Sequence, residues 1–128
     1  MSKNYQTPRG TKDILPSDQP YWIHIKEITE KVLLGLGFGR IDTPHFENLE
    51  VFTRGIGEQT DIVQKELYLI ETNKDDEATK FALRPEGTAG IVRSFIQNGM
   101  SSMPQPVRLY YMGSMFRHER PQKGRYRE

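Results

Sequence analysis

The 128-residue sequence contains no cysteine. That excludes disulfides, a thiolate zinc site and a cysteine nucleophile. The three histidines, His24, His45 and His118, are scattered along the chain, so no protein-bound structural metal is expected. Long apolar runs are also missing. Nothing approaches the roughly 18–20 residues that a membrane span requires, and the opening MSKNYQTPRG has no apolar stretch of the signal-peptide kind. The expected location is cytoplasmic, away from any membrane. Hydrophobic residues make up only 35% of the sequence and the mean hydropathy is −0.69, which is thin for a self-sufficient globule and points to partner surface. The glycines form neither a P-loop nor a dinucleotide fingerprint, since Gly35-Leu36-Gly37 has the wrong neighbours.

What is present suits one domain with a real core, given the length. The 18 Lys and Arg nearly balance the 17 Asp and Glu, for a net charge of +1. The balance hides a local excess. Residues 117–128 carry Arg117, Arg120, Lys123, Arg125 and Arg127 against Glu119 and Glu128, so this tip is +3 and the rest of the chain −2. Such a concentration suits phosphate, of a nucleotide or a nucleic acid, or else a solvated loop.

The two periodicities alternate, which predicts a mixed α+β fold. Residues 1–16, punctuated by Pro8, Gly10 and Pro16, read as an extended arm. Ser17 or Asp18 can cap a helix with Pro20 in its first turn, and Tyr21, Ile25, Ile28, Val32 and Leu36 give it one stripe, expected to be buried. Glycines 35, 37 and 39 end it, and Arg40–Thr43 alternates as a strand that Pro44 halts. Residues 45–64 read as loop and short helix. Glu66–Ile70 and Lys80–Arg84 flank the polar turn 73–77 as a β-hairpin. Gly87–Asn98 reads as a helix buried through Ile91, Val92, Phe95 and Ile96 and stopped by Gly99, and Val107–Met112 is β-rich. Arg125–Glu128 looks like the start of a returning strand, so the chain is expected to be incomplete.

Two groups of residues can carry chemistry. On an extended strand Arg117 and Glu119 point to one face, and the turn at Pro121–Gly124 brings Arg125 back towards them. Arginine forks match phosphate oxygens and Glu119 can accept from a purine amine, so the set suits a nucleoside triphosphate. The same residues would equally make a surface Arg/Glu ladder. The second group is Leu83-Arg84-Pro85-Glu86-Gly87-Thr88-Ala89-Gly90, where a strand meets a helix. Glu86 and Thr88 can hold an ammonium group, or both can simply cap the helix. His118 alternates away from Arg117 and Glu119 and is given no catalytic role. His24, between apolar helix residues, reads as a packed or surface histidine.

Taken in order, the Pro8–Asp13 arm, the helix and strand ending at Pro44, the Leu83–Gly90 segment and the run from Phe116 to Arg127 resemble the N-terminal part of the histidyl-tRNA synthetase family, a group of class II aminoacyl-tRNA synthetases. The resemblance covers the whole chain. It implies a partial class II antiparallel sheet with flanking helices, divided into an arm (1–16), a motif 1-like helix and strand (17–44), a hairpin and histidine-binding segment (65–99) and a truncated motif 2-like region (107–128). It implies that Glu86, Gly87 and Thr88 bind L-histidine through its α-amino group. Arg117 would contact the α-phosphate of ATP and the amino acid's carboxylate, and is the implied catalytic residue. Glu119 would hold the adenine amine and Arg125 the terminal phosphates, with ATP entering as its Mg2+ complex. Arg120 and Gln122 would approach the acceptor end of tRNA(His), and the region of Pro44 would form a homodimer interface. The parent activity implied is histidine–tRNA ligation, and the 128 residues alone are expected to be inactive, because the imidazole-reading segment, motif 3 and the anticodon-binding domain have no counterpart here. Three other readings compete: a different class II synthetase, the non-catalytic regulatory subunit of ATP phosphoribosyltransferase, and a stand-alone RNA-binding module, which would bind without ATP and with a steep salt dependence.

Overall fold

The computed structural model describes residues 5–8, 10–54, 66–71 and 80–118, and these fall into two compact units, 5–38 and 39–118. The first unit is built on helix α1, Gln19–Gly35. Asp18 takes the cap position and Pro20 sits in the first turn, as expected. The cap uses backbone rather than side chain: the Asp18 carbonyl accepts from the amides of Tyr21 (3.2 Å) and Trp22 (3.4 Å). At the other end Gly37 has φ +78°, a left-handed conformation that glycine adopts without a side-chain penalty. Its amide bonds to the Leu34 carbonyl (3.0 Å) and that of Phe38 to Leu33 (2.9 Å), the paired bonds of a Schellman ending. The expected burial of the stripe is not found. Tyr21, Ile25, Ile28, Val32 and Leu36 are all exposed, because helical spacing makes a continuous apolar face without supplying what covers it.

The second unit carries two small sheets. Strand β1, Gly39–Arg40, pairs in parallel with β5, Leu109–Tyr110. The expected strands at 40–43 and 107–112 are therefore shorter than the alternation suggests. After Pro44, which has no amide to donate, the chain returns to extended form as β2, Phe46–Asn48. That strand lies where loop and helix were expected. The short helix does follow, as α2, Leu49–Thr53, with Asn48 Oδ1 accepting from the Glu50 amide (3.4 Å). Strands β3, Leu69–Ile70, and β4, Phe81–Leu83, form the expected antiparallel hairpin. Its turn, and residues 55–64 of the expected loop at 45–64, lie outside the described residues. The antiparallel sheet has the order β2-β4-β3, with Phe46 opposite Leu83, Glu47 opposite Ala82 and Asn48 opposite Phe81.

Helix α3, Thr88–Gln97, leaves the end of β4 and stops at Gly99, whose φ of +60° again suits glycine. Its inward side differs from the expected one. Gly90 and Ser94 are buried, Ile91 and Phe95 are half-buried, and Val92 and Ile96 are exposed. The reason is polar. Arg93 donates to the Glu47 carboxylate on β2 and to Gln97 Oε1 (2.8 Å), which rolls this face towards the sheet. A Cβ on Gly90 would lie 3.3 Å from Thr43 Oγ1 and 3.4 Å from Glu47 Oε1, so glycine permits the close approach. Among the described residues the apolar core is small: Phe52, Leu67 and Ala82 are buried, with Leu49, Val51 and Ala89 packed around them, and Tyr110 is also buried.

Glu47 is thus a tie between sheet and helix. Its side chain is 11% exposed, while the Arg93 Nε is buried with no partner among the described residues. Glu47→Ala is expected to lower stability by about 2 kcal/mol, the loss of a charge-assisted bond within a partly buried pair. Urea denaturation followed by circular dichroism measures it, and a loss below about 0.5 kcal/mol would mean that the pair does not orient α3.

Candidate active site

The site begins where β4 ends. Pro85 cannot continue the ladder, and the chain turns through Glu86 and Gly87 into α3. The carboxylate of Glu86 accepts from the amides of Thr88 (2.5 Å) and Ala89 (2.9 Å). The capping role is therefore real for Glu86. Gly87, not Thr88, takes the cap position, and the exposed Thr88 hydroxyl makes no hydrogen bond among the described residues. Capping does not exhaust Glu86. A carboxylate has about four acceptor positions and two are used, so the half-buried group can still receive an ammonium ion. Capping therefore leaves acceptor positions on the same side chain.

Arg117 reaches this same turn. Its Nε donates to the Pro85 carbonyl at 2.9 Å, so the guanidinium lies one residue from Glu86. The neighbouring backbone repeats the link: the Phe116 amide donates to the Arg84 carbonyl (2.9 Å) and the His118 amide to Glu66 (2.8 Å). His118 turns its ring edge to Tyr68, with centroids 5.5 Å apart at 79°, and so leaves the turn to Arg117. The structure thus brings together Glu86, Gly87, Thr88 and Arg117. Pro44 is exposed and lies between Thr43 and His45, both of which bond to Arg84. Glu119, Arg120, Gln122 and Arg125 are outside the described residues.

Two further residues shape the site, and the sequence reading assigned neither of them a role. Tyr111 lies against Gly87, so that a Cβ at position 87 would come within 2.7 Å of three carbons of its ring. Arg84, only 8% exposed, donates from Nε to the Ser114 carbonyl (3.1 Å) and from a terminal nitrogen to the carbonyl (2.9 Å) and hydroxyl (3.3 Å) of Thr43. The small residues Gly87 and Gly113 were the available signals. A Cβ on Gly113 would come 2.5 Å from an Arg84 nitrogen. Among the described residues no group of three His, Cys, Asp or Glu side chains is arranged to hold a metal ion.

A family model described as histidyl-tRNA synthetase matches residues 10–128. The chain is 50% identical over 124 residues to a histidine–tRNA ligase of Dehalococcoides mccartyi, covering 97% of this chain and 29% of that relative. It is 53% identical over 123 residues to the histidine–tRNA ligase of Acetivibrio thermocellus, again covering 29% of the relative's length. The chain therefore spans under a third of these curated relatives. Its fold is similar to the apo histidyl-tRNA synthetase of S. aureus, with a TM-score of 0.74 and 36% identity over 90% of this chain and 30% of that one. The antiparallel sheet with its flanking helices is the fold of a class II aminoacyl-tRNA synthetase domain. Within that class, the chain belongs to the histidyl-tRNA synthetase family.

The packing at Gly87 gives a test. Gly87→Ala must displace the Tyr111 ring, and overpacking of this kind costs about 1–3 kcal/mol. Thermal unfolding should show the loss, and tyrosine near-ultraviolet dichroism should change with it. If both stay as in the parent, the ring does not rest on Gly87 in solution.

Proposed function

We propose that the protein carrying these residues is a histidine–tRNA ligase, which activates histidine with ATP and transfers it to tRNA(His). Family membership supports the class of reaction, and one observation supports the site: Arg117 is bonded to the carbonyl that precedes Glu86. An ammonium-binding carboxylate and a phosphate-binding guanidinium therefore share one turn. Glu86 and Thr88 hold the α-ammonium of histidine, and Arg117 holds the amino acid's carboxylate against the α-phosphate of ATP. A carboxylate oxygen forms the new bond to the α-phosphorus while the bond to the bridging oxygen breaks, and pyrophosphate leaves with that electron pair. No protein nucleophile is needed, because positioning and charge neutralisation supply the catalysis. Glu119 receives the adenine amine, Arg125 the terminal phosphates, and Arg120 and Gln122 the acceptor end of the tRNA. Mg2+ arrives with the nucleotide. The 128 residues alone are not expected to form the adenylate, since a reaction that depends on preorganised contacts collapses when its constellation is incomplete.

The exposed stripe of α1 and the segment at Pro44 are proposed as the homodimer interface, which supplies the cover that the stripe needs. Light scattering across a wide concentration range is expected to show a dimer. A strict monomer would count against this assignment.

The chemistry is tested in a full-length ligase that carries this segment. Charge at the α-phosphate is redistributed during attack, so Arg117→Ala should lower the adenylation rate constant by about 100- to 1,000-fold, as the loss of comparable electrostatic donors does. Glu119→Gln keeps an oxygen for the adenine amine and should mainly raise the KM for ATP. Rapid-quench measurement of adenylate formation across ATP concentrations separates the two. An Arg117→Ala change confined to ATP affinity would remove Arg117 from the reaction, and absence of any histidine-dependent adenylate in the parent would favour a regulatory or RNA-binding protein.

A further inference from the structure

Arg84 is a buried cation whose described partners are all neutral. Its guanidinium bonds to the Ser114 and Thr43 carbonyls and the Thr43 hydroxyl, and its own backbone joins the same two segments. The Arg84 amide donates to the His45 carbonyl (2.9 Å), and its carbonyl accepts from Phe116 (2.9 Å). One residue therefore grips the chain on both sides of Pro44, and on both sides of Met115. A buried charge is costly unless it is fully hydrogen-bonded, and several smaller arrangements would join two loops at less cost. What the planar fork of arginine adds is a fixed distance and direction between them.

The residues on either side show what that geometry controls. Arg84 is followed by Pro85 and Glu86, whose carboxylate is already oriented by the amides of Thr88 and Ala89. Phe116, bonded to Arg84, is followed by Arg117, which returns to Pro85. Two consecutive links, from 116 to 84 and from 117 to 85, thus set the spacing between Glu86 and Arg117. We infer that Arg84 is a positioning residue for adenylation, holding the ammonium-binding turn in register with the phosphate-binding arginine. The inference rests on the site reading above. It assigns Arg84 no contact with substrate. Each half of the site keeps its own groups when Arg84 is changed, so each substrate still binds, but the attacking oxygen and the phosphorus are no longer held at reaction distance. A misplacement of about 1 Å is enough to cost about 100-fold in rate.

The test uses single-turnover adenylate formation in the full-length ligase carrying this segment, with Arg84→Lys and Arg84→Met as variants and Glu86→Gln as a control. The amplitude of the turnover counts folded active sites, whereas the rate constant reports on positioning. Arg84→Lys keeps the charge but loses the planar fork and is expected to lower the rate constant about 10- to 100-fold, with the KM values for histidine and ATP changing less than threefold. For the more drastic Arg84→Met, millimolar guanidinium should restore the rate where methylammonium does not. A second measurement is independent of activity: in the 128-residue chain, hydrogen exchange at the Thr88, Ala89 and Phe116 amides should accelerate in Arg84→Lys. If Arg84→Lys reduces only the amplitude and leaves the rate constant unchanged, Arg84 is purely structural and the inference is overturned. If Glu86→Gln also leaves the reaction unaffected, the site reading itself has failed. Unchanged exchange at those three amides would overturn the inference whatever the kinetics show.

Discussion

The second unit depends on a guanidinium buried among carbonyls. Arg84 stands where a strand ends and three chain segments meet, and its described partners lie at Thr43, His45, Ser114 and Phe116. No other residue type offers five donors in a rigid plane. Lysine can reach one carbonyl or the other but does not impose the angle between them. The neighbouring sequence accommodates this: Gly113 leaves room for a terminal nitrogen, and Pro44, with no amide to satisfy, fits between two carbonyls that point to the same arginine. The apolar core nearby is too slight to fix these segments by burial, with Phe52, Leu67 and Ala82 as its buried members.

The electrostatics of the turn show what the Glu86 carboxylate does there. The amino end of α3 presents unpaired amides and partial positive charge, which would repel an ammonium ion. Glu86 reverses that potential. By accepting from Thr88 and Ala89 it satisfies two orphan amides and places a full negative charge in front of the helix. The carboxylate is held still by the helix that it caps, so little side-chain freedom remains to be lost when a ligand arrives. Arg117, from a different segment, is anchored on the same turn by its bond to the Pro85 carbonyl. A carboxylate and a guanidinium are therefore held at one turn.

How far this was legible in the sequence follows from which forces do the holding. The ends of α1 are written in Asp18, Pro20 and Gly37, and those of α3 in Gly87 and Gly99, because caps are local chemistry. The hairpin is legible from its two apolar runs. Strand β2 is not: its inward residue is Glu47 and its outward residue is Phe46, the reverse of what hydropathy expects. The inward face of α3 is misread for the same reason, since Arg93 crosses to Glu47 while Val92 and Ile96 face outward. One inward ion pair inverts the apparent pattern of two elements. The candidate site was legible as two segments, but Arg84 as their connector was not. Apart from the Thr43 hydroxyl, its described side-chain partners are backbone carbonyls, which every residue carries and no side-chain pattern reveals.

That asymmetry bears on how such a site keeps its shape. In a well-filled core, many small contacts share the load, and removing one relaxes its neighbours only partly. Here the rigidity of the turn comes from a few directional bonds around Arg84, Glu86 and Arg117, with the Glu47–Arg93 pair behind them. Directional bonds fix angles as well as distances, which suits any site whose use depends on the alignment of its groups. They also fail differently. Losing an apolar contact lowers stability first and leaves geometry nearly intact, whereas losing one of these donors alters geometry at once and leaves its acceptor unsatisfied. A chain with thin hydrophobic content can therefore hold an accurate site, provided that a few polar side chains are fully committed to backbone. Arg84 is the clearest of these, being at once the least exposed cation among the described residues and a side chain joined to two separate segments.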